Sequence, residues 1–359
     1  MIRNNLQYDE KGQCWITKYP WLIDPNCLPN NYSSAYATLC STERTLSKDE
    51  TKVYNEQIQD MVQRGVARQL SHQELKDWTR PKFYLSHLAV SNPKSTSTQV
   101  RIVFNSSQVH QGFSLNTSLA KGPDSYLNNW LGIILRWREN YTAIQADIPK
   151  MYNLVFIEEV KQHCHRLLWR DLETDRQPDE YIITRVNMGD RPAAAISTEA
   201  IYMTAKLFEG MYPRVAELLR SSTYVDDIVD SVSDLKAAED LAKDTAAVLA
   251  RAGFKVKSWL FSSESIPRVD PSQPASEKKE NSVSKVLGIS WKPQSDKIFF
   301  KPSLNFSKKR QGVYAEERLT QESIPAPIPE KLTRRKVLEQ TMKIYDPMGI
   351  MSPFTQQAK

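Results

Sequence analysis

The pattern of this 359-residue sequence predicts an α+β fold built on antiparallel sheet. Three observations lead to that reading. Helical and extended segments mix without the strict strand–helix–strand rhythm of a parallel sheet. Two capping signatures, Ser47 with Glu50 and Ser71 with Glu74, announce helix starts. Several β-rich runs come in pairs joined by short polar turns, the mark of hairpins.

Residues 1–46 are rich in Pro, Asn, Ser and Tyr, with short apolar words such as Tyr19-Pro20-Trp21-Leu22-Ile23, and read as an extended segment lying on another surface. A helix then starts at Ser47, carries Val53, Tyr54, Ile58, Met61 and Val62 at helical spacing, and ends at Gly65. A shorter helix follows Ser71. Between Phe83 and Phe104 the runs Tyr84–Val90 and Val100–Phe104 predict a hairpin. Asp124 is the expected cap of a helix whose apolar face is Leu127, Trp130, Leu131, Ile134 and Trp137.

A strand is expected over Tyr141–Asp147, then a short helical stretch from Lys150, and further strands over Arg166–Trp169 and Tyr181–Val186. The pattern continues with a helix over Pro192–Phe208, a hairpin over Ser222–Val232 and a helix over Ser233–Ala252 that stops at Gly253. Residues 262–284 read as a Ser/Pro/Lys/Glu-rich linker without periodicity. A hairpin over Val286–Phe300, a polar stretch at 307–330 and a helix from Thr333 complete the chain.

Composition bounds the function without choosing it. The chain is 40% hydrophobic and 25% charged, as ordinary globular proteins are, and is long enough for two or three subdomains. No apolar run approaches the roughly 20 residues of a membrane span, and no charged-then-apolar leader opens it. The expectation is an intracellular protein of cytoplasm or nucleus. The net charge of +6 is compatible with a polyanionic partner, but the basic residues are spread along the chain. Cys14, Cys27, Cys40 and Cys164 form no Cys-x-x-Cys pair and are read as reduced and unpaired. His163-Cys164-His165 would place two imidazoles on one face of a strand, but no further ligand of suitable spacing accompanies them, so they are taken as structural.

Chemistry is suggested by acids. Tyr224-Val225-Asp226-Asp227 sits between β-prone residues, where a tight hairpin turn is the geometry that can aim two neighbouring carboxylates at one spot. Asp147 ends its strand ahead of Ile148-Pro149-Lys150-Met151-Tyr152 and is placed to supply a third. Three convergent hard oxygens suit Mg²⁺ or Mn²⁺. Two such ions about 4 Å apart can activate a 3′-hydroxyl and stabilise departing pyrophosphate. The plain alternatives are a solvated turn at Asp226 and Asp227 and a strand-end cap at Asp147.

Taken together, Ala146-Asp147-Ile148-x-Lys150-Met151-Tyr152, Gly189-Asp190-Arg191-Pro192, Tyr224-Val225-Asp226-Asp227 and Leu287-Gly288-Ile289-Ser290-Trp291 resemble the reverse transcriptases in order and spacing. In particular they resemble the reverse transcriptase region of BEL/Pao long-terminal-repeat retrotransposon polyproteins. The resemblance extends to Arg101-Ile102-Val103-Phe104, Gly122-Pro123-Asp124, His165–Asp171, Gly253-Phe254 and Ile344–Gly349, and runs from about residue 8 to the last.

The resemblance implies a right-hand fold of fingers, palm and partial thumb. It implies an RNA-directed DNA polymerase that adds dNTPs to a primer 3′-OH on an RNA or DNA template with two Mg²⁺ or Mn²⁺ ions. Asp147, Asp226 and Asp227 would be the catalytic metal ligands, with the backbone carbonyl of Ile148 a further one. Tyr152 corresponds to the aromatic gate against a ribose 2′-hydroxyl, or is a core aromatic. Arg101 corresponds to the residue gripping the triphosphate, or is a solvated strand residue. Gly189 corresponds to the glycine that lets backbone approach nucleotide and template, or is a turn glycine. Leu287, Gly288 and Trp291 correspond to the primer grip, or form a core hairpin. A lysine that protonates pyrophosphate would be Lys257 or Lys255, or is absent. The chain departs from the pattern at Asn105, Pro149, Met188 and Ser258, none of them a metal ligand.

The implied organisation is an N-terminal segment with fingers-side helices (1–80), a fingers and palm core (81–261), the polar linker (262–284), and a primer-grip hairpin with the start of the thumb (285–359), ending before RNase H. The competing reading is a catalytically inactive retroelement remnant that at most binds nucleic acid. An aspartic peptidase is excluded because no Asp-Thr-Gly or Asp-Ser-Gly triplet occurs. Tyr152 as a gate argues against an RNA polymerase.

Overall fold

The computed structural model describes residues 2–91, 100–123, 126–262, 283–299, 330–346 and 348–357. Among the described residues the fold mixes helices with five small sheets, as the α+β expectation requires. Its contacts divide the chain into two units, Met1–Leu127 with Ile148–Arg220 and Asp244–Lys255, and Asn128–Asp147 with Ser221–Lys243 and Val256–Lys359.

The first unit differs from expectation at its start. Residues 1–46 are not simply extended. Leu6–Asp9 and Cys14–Thr17 form an antiparallel hairpin, and Cys14–Thr17 pairs in parallel with Val155–Ile157. Tyr32–Thr45 is then a 14-residue helix. Its buried stripe is only Ala35, Leu39 and Thr42, set among Ser, Thr and Tyr, so neither propensity nor a broad apolar face announces it. Tertiary contacts hold the segment: Trp15 Nε1 donates to Thr204 Oγ1 at 2.9 Å and the Tyr8 hydroxyl to the Arg251 carbonyl at 2.5 Å.

Both predicted capping boxes are present. Ser47 caps Lys48–Gln63 and Ser71 caps His72–Asp77, and Gly65 just past the first of these has φ +66°. Arg166–Trp169, Asp179–Ile183 and Ala67–Gln69 form one antiparallel sheet, and His87–Ser91 with Val100–Phe104 another. The expected helix over Pro192–Phe208 is Ala193–Phe208, and a further helix, Pro213–Ser221, follows it.

His163-Cys164-His165 is a buried 3-10 turn and not a strand, so its two imidazoles part company. His163 stacks on Trp78 with centroids 3.4 Å apart, while His165 Nε2 lies 3.1 Å from Asp190 Oδ2. Burial and the neighbouring Arg166 push His163 down to about 4. All four cysteines are free thiols.

The second unit is built on a four-stranded antiparallel sheet in the order Thr223–Tyr224, Asp227–Val232, Thr142–Asp147, Leu260–Phe261. The Thr142–Asp147 strand is buried along its first five residues. The helix expected from Asp124 is Trp130–Trp137, capped by Asn129, whose side chain accepts from the N–H groups of Leu131 and Gly132. Asp124 lies outside the described residues.

Ile133 and Trp137 of that helix pack with Ala143, Val229, Val286 and Trp291 in one core. Trp291 belongs to a three-stranded antiparallel sheet of Ser284–Val286, Ile289–Lys292 and Lys297–Phe299. Its ring meets Trp137 edge to face at 5.2 Å, and its Nε1 donates to Asp296 Oδ1 at 2.9 Å. Asp296 also takes both guanidinium nitrogens of Arg138, at 2.6 and 2.8 Å.

The expected helix over Ser233–Ala252 is Leu235–Ala250, with Asp234 Oδ1 accepting from the Ala237 N–H. Thr333 caps Arg334–Thr341 as expected, and Ser352–Gln357 is a last short helix. Most of the linker at 262–284 and nearly all of the stretch at 307–330 lie outside the described residues. Among the described residues no helix is long and apolar enough to cross a membrane.

Because Trp291 is wholly buried against a second indole, Trp291→Ala is expected to destabilise the protein by about 3–5 kcal/mol. Urea unfolding measures this, and a loss below about 1 kcal/mol would show that the two rings do not anchor the core.

Candidate active site

The acids meet at one end of the four-stranded sheet. Register places Asp227 directly opposite Asp147 on neighbouring antiparallel strands. Side chains so paired share a face of the sheet, with Cβ atoms about 4.5–5.5 Å apart. Asp227 is also paired with Tyr224 across the hairpin, which leaves Val225 and Asp226 as its two-residue turn. Tyr224 packs on the Trp137/Trp291 core and so anchors that turn.

The turn is strained. Val225 has φ +54° while Asp226 does not take a positive φ, the pattern of a II′ hairpin turn, whose first position favours Gly. A β-branched residue there is a steric outlier costing on the order of 1–3 kcal/mol, and such strain persists only where the surroundings hold it. Here the paired strands on both sides hold it, and the result is a carboxylate on the turn next to a carboxylate on the strand.

Charge links the three acids. Burial, then Asp226 and Asp147, push the Asp227 carboxyl up to about 7. Burial and Asp226 also raise Asp147, while Lys257 lowers it. Lys257 is held close to Asp147 by its backbone, its N–H donating to the Asp147 carbonyl at 2.8 Å. Among the described residues, however, no group of three or more His, Cys, Asp or Glu side chains is arranged to hold a metal ion. By atom type and charge the three carboxylates fit a hard divalent cation. As they stand they repel one another without closing into a ligand set.

The remaining expected positions are distributed as follows. Ile148, next after Asp147, is fully buried. Leu287 and Gly288 form the turn of their hairpin at φ +47° and +89°, the two-residue turn with both φ positive that twists with its strands. A Cβ on Gly288 would come within 2.7 Å of the Tyr345 ring, whose hydroxyl donates to the Leu287 carbonyl at 3.1 Å. Gly288 is exposed, whereas the Trp291 side chain lies inside the core and offers no surface.

Arg101, Tyr152 and Gly189 belong to the first unit. Arg101 is an exposed strand residue paired with Val90, and Tyr152 is half-buried in the 3-10 turn Met151–Leu154. Gly189 has a packing reason to be glycine: a Cβ there would stand 2.5 Å from the Phe104 carbonyl oxygen. The buried surroundings of Asp190, whose hydrogen-bond partners lie up to 171 residues away, had no local signal in the sequence.

No protein-family model matches the sequence, and no curated protein matches it. Among solved structures, the chain is similar to a foamy viral protease-reverse transcriptase in complex with an RNA/DNA hybrid, with TM-score 0.45, 15% identity, and coverage of 66% of this chain and 25% of that one. It is similar to a foamy viral protease-reverse transcriptase in complex with double-stranded DNA at TM-score 0.40 and 17% identity, covering 55% of this chain and 29% of that one. A prototype foamy virus protease-reverse transcriptase mutant is similar at TM-score 0.43 and 14% identity, covering 67% and 26%. The chain thus spans between 25% and 29% of the length of these proteins.

The raised proton affinity of Asp227 predicts a pH signature in metal-free buffer. A carboxyl whose folded value, about 7, lies above its ordinary 3.8 contributes stability that is fully present below the unfolded value and is lost as pH rises through the folded one. Asp227→Asn, which cannot ionise, is therefore expected to gain on the order of 1–3 kcal/mol relative to wild type between pH 5 and pH 8. Thermal unfolding with EDTA at both pH values measures it. An equal offset at both would mean that burial and the neighbouring carboxylates do not hold Asp227 protonated.

Proposed function

We propose that this chain is the polymerase part of a reverse transcriptase of the BEL/Pao type, an RNA-directed DNA polymerase. It would join dNTPs to a primer 3′-hydroxyl on an RNA or DNA template, with a fingers, palm and partial-thumb layout. The observation that carries the reading is the cross-strand pair Asp147 and Asp227 beside Asp226 on a strained turn, in a chain whose sequence motifs follow the family order. The expected organisation over 1–80, 81–261, 262–284 and 285–359 belongs to the same proposal.

Asp147, Asp226, Asp227 and the carbonyl of Ile148 would hold divalent cations. When bound, two Mg²⁺ or Mn²⁺ ions supply charge stabilisation to the attacking and leaving oxygens of phosphoryl transfer. The chain's own part is to bring three carboxylates together at one end of the four-stranded sheet. Burial first, and then the neighbouring carboxylates, raise Asp147 and Asp227, and bound cations would relieve the repulsive part of that cost. Lys257, whose charge already acts on Asp147, is proposed as the lysine that would give a proton to a leaving pyrophosphate. Arg101, Tyr152 and Gly189 are proposed to receive the incoming nucleotide, and the Leu287-Gly288 turn the primer. Phosphate contacts would supply affinity without choice of sequence.

The arrangement of the acids, which is not closed around a metal position, favours one alternative, an inactive remnant that binds nucleic acid. Primer extension on poly(rA) with oligo(dT) separates the two. The expected result is dTTP incorporation that requires Mg²⁺ or Mn²⁺ and falls by at least about 100-fold in Asp226→Asn, an effect of the size expected on losing one charge-stabilising group. No incorporation by folded wild-type protein that still binds the duplex would establish the remnant.

A further inference from the structure

Within the first unit a single buried carboxylate ties together two segments proposed to face the nucleotide. The Asp190 side chain has no exposure, although Met188 and Arg191 around it are exposed, Met188 by 76%. Asp190 Oδ2 accepts from the Tyr19 hydroxyl at 2.5 Å and lies 3.1 Å from His165 Nε2. Its Oδ1 accepts from the Ser106 hydroxyl at 2.6 Å and the Asn187 side-chain amide at 3.3 Å. The Tyr19 ring stacks on His165 at 4.9 Å, which steadies both partners of Oδ2.

The backbone around this carboxylate is clamped from its other side. Asn116 Nδ2 donates to the Gly189 carbonyl at 3.0 Å, and the Arg191 N–H donates to Asn116 Oδ1 at 2.7 Å. The Asp190 N–H closes the turn on the Asn187 carbonyl at 3.0 Å. Ser106 lies two positions past Phe104, where the Arg101 strand ends, and the Phe104 carbonyl is the atom that excludes a side chain at Gly189.

A buried carboxylate costs several kcal/mol unless its oxygens are fully paired. Here burial pushes Asp190 up, but the His165 ring and the hydrogen bonds from His165, Ser106 and Tyr19 outweigh it and hold it below the usual carboxylate range. An apolar residue would staple a turn at lower cost. A four-donor network is satisfied in only one placement of the turn, so it selects a geometry.

We infer that Asp190 is a positioning residue: its carboxylate fixes the Met188–Arg191 turn to the end of the Arg101 strand, so that the turn meets the incoming nucleotide in one arrangement. This rests on the polymerase reading above. Misplacement of a binding segment by about 1 Å can cost about 100-fold in rate or affinity, so removing single donors is expected to show in nucleotide use before it shows in folding.

The test compares Tyr19→Phe, Ser106→Ala, Asp190→Asn and Asp190→Leu with wild type in steady-state primer extension with dTTP varied, active enzyme being counted by a single-turnover burst and folding by thermal unfolding. Tyr19→Phe and Ser106→Ala each remove one donor and leave the packing. Both are expected to raise KM for dTTP about tenfold with kcat within about threefold. Asp190→Asn retains an acceptor oxygen and should be milder than Asp190→Leu. Variants that lose active enzyme or kcat while KM stays at the wild-type value would overturn the positioning role and leave a structural one. A wild type that incorporates no dTTP would instead sink the polymerase reading, and with it any nucleotide for the turn to receive.

Discussion

The second unit depends on the six-residue register between Thr142–Asp147 and Asp227–Val232. A slip of one residue would send every side chain of a strand to the other face of the sheet. In the observed register Ala143, Ile144, Ile228 and Val229 are buried, and the same alignment places Asp147 opposite Asp227. Like charges directly opposite each other are unfavourable, so the acid pair exists because the burial of Ala143, Ile144, Ala146, Ile228 and Val229 holds the strands in this register. The Trp137/Trp291 contact, with Asp296 receiving both Trp291 and Arg138, closes the core that does so. Gln145, buried in the same strand, is satisfied by the Lys285 carbonyl and the Ser284 hydroxyl, which join the three-stranded sheet to the four-stranded one.

Strain and repulsion gather at one end of that sheet. Val225 at positive φ and two carboxyls with raised proton affinity are local choices that lower stability. Departures of this kind from local rules are what functional sites show, with the surrounding fold compensating for them. A cation partner would reverse the sign of the electrostatic part, since the same proximity that makes carboxylates repel makes them a donor set.

The first unit is organised by buried polar groups. His87 shows the logic: its Nε2 faces the Leu168 carbonyl at 2.9 Å and must donate, so its Nδ1 accepts from the Tyr54 hydroxyl at 2.6 Å, and burial keeps the ring neutral. Glu180 takes both Arg166 and the Tyr84 hydroxyl at 2.7 Å, and Arg170 pairs with Glu43 in the interior. Buried pairs of this sort add little net stability, but removing one partner is costly. Their effect is to exclude alternative packings of a unit whose N-terminal residues must find partners as distant as Thr204 and Arg251.

Local chemistry determined much by itself. The caps at Ser47, Ser71 and Thr333, the Gly65 and Gly253 helix ends and the Tyr224–Asp227 turn are written in residues a few positions apart, because they are satisfied by interactions a few positions long. The acids themselves were legible as candidates for the same reason. The Tyr32–Thr45 helix was not, since its stripe of Ala35, Leu39 and Thr42 gains stability only from what it packs on. The burial of Trp291 was one of two readings its hairpin allowed, but its partner Trp137 was not legible, because only the tertiary structure brings the two rings together. Tertiary structure alone decided that Asp147 stands opposite Asp227, 80 residues on, and that Asp190 joins Tyr19, Ser106 and His165. Those relations are set by strand register and burial, which no window of neighbouring residues contains.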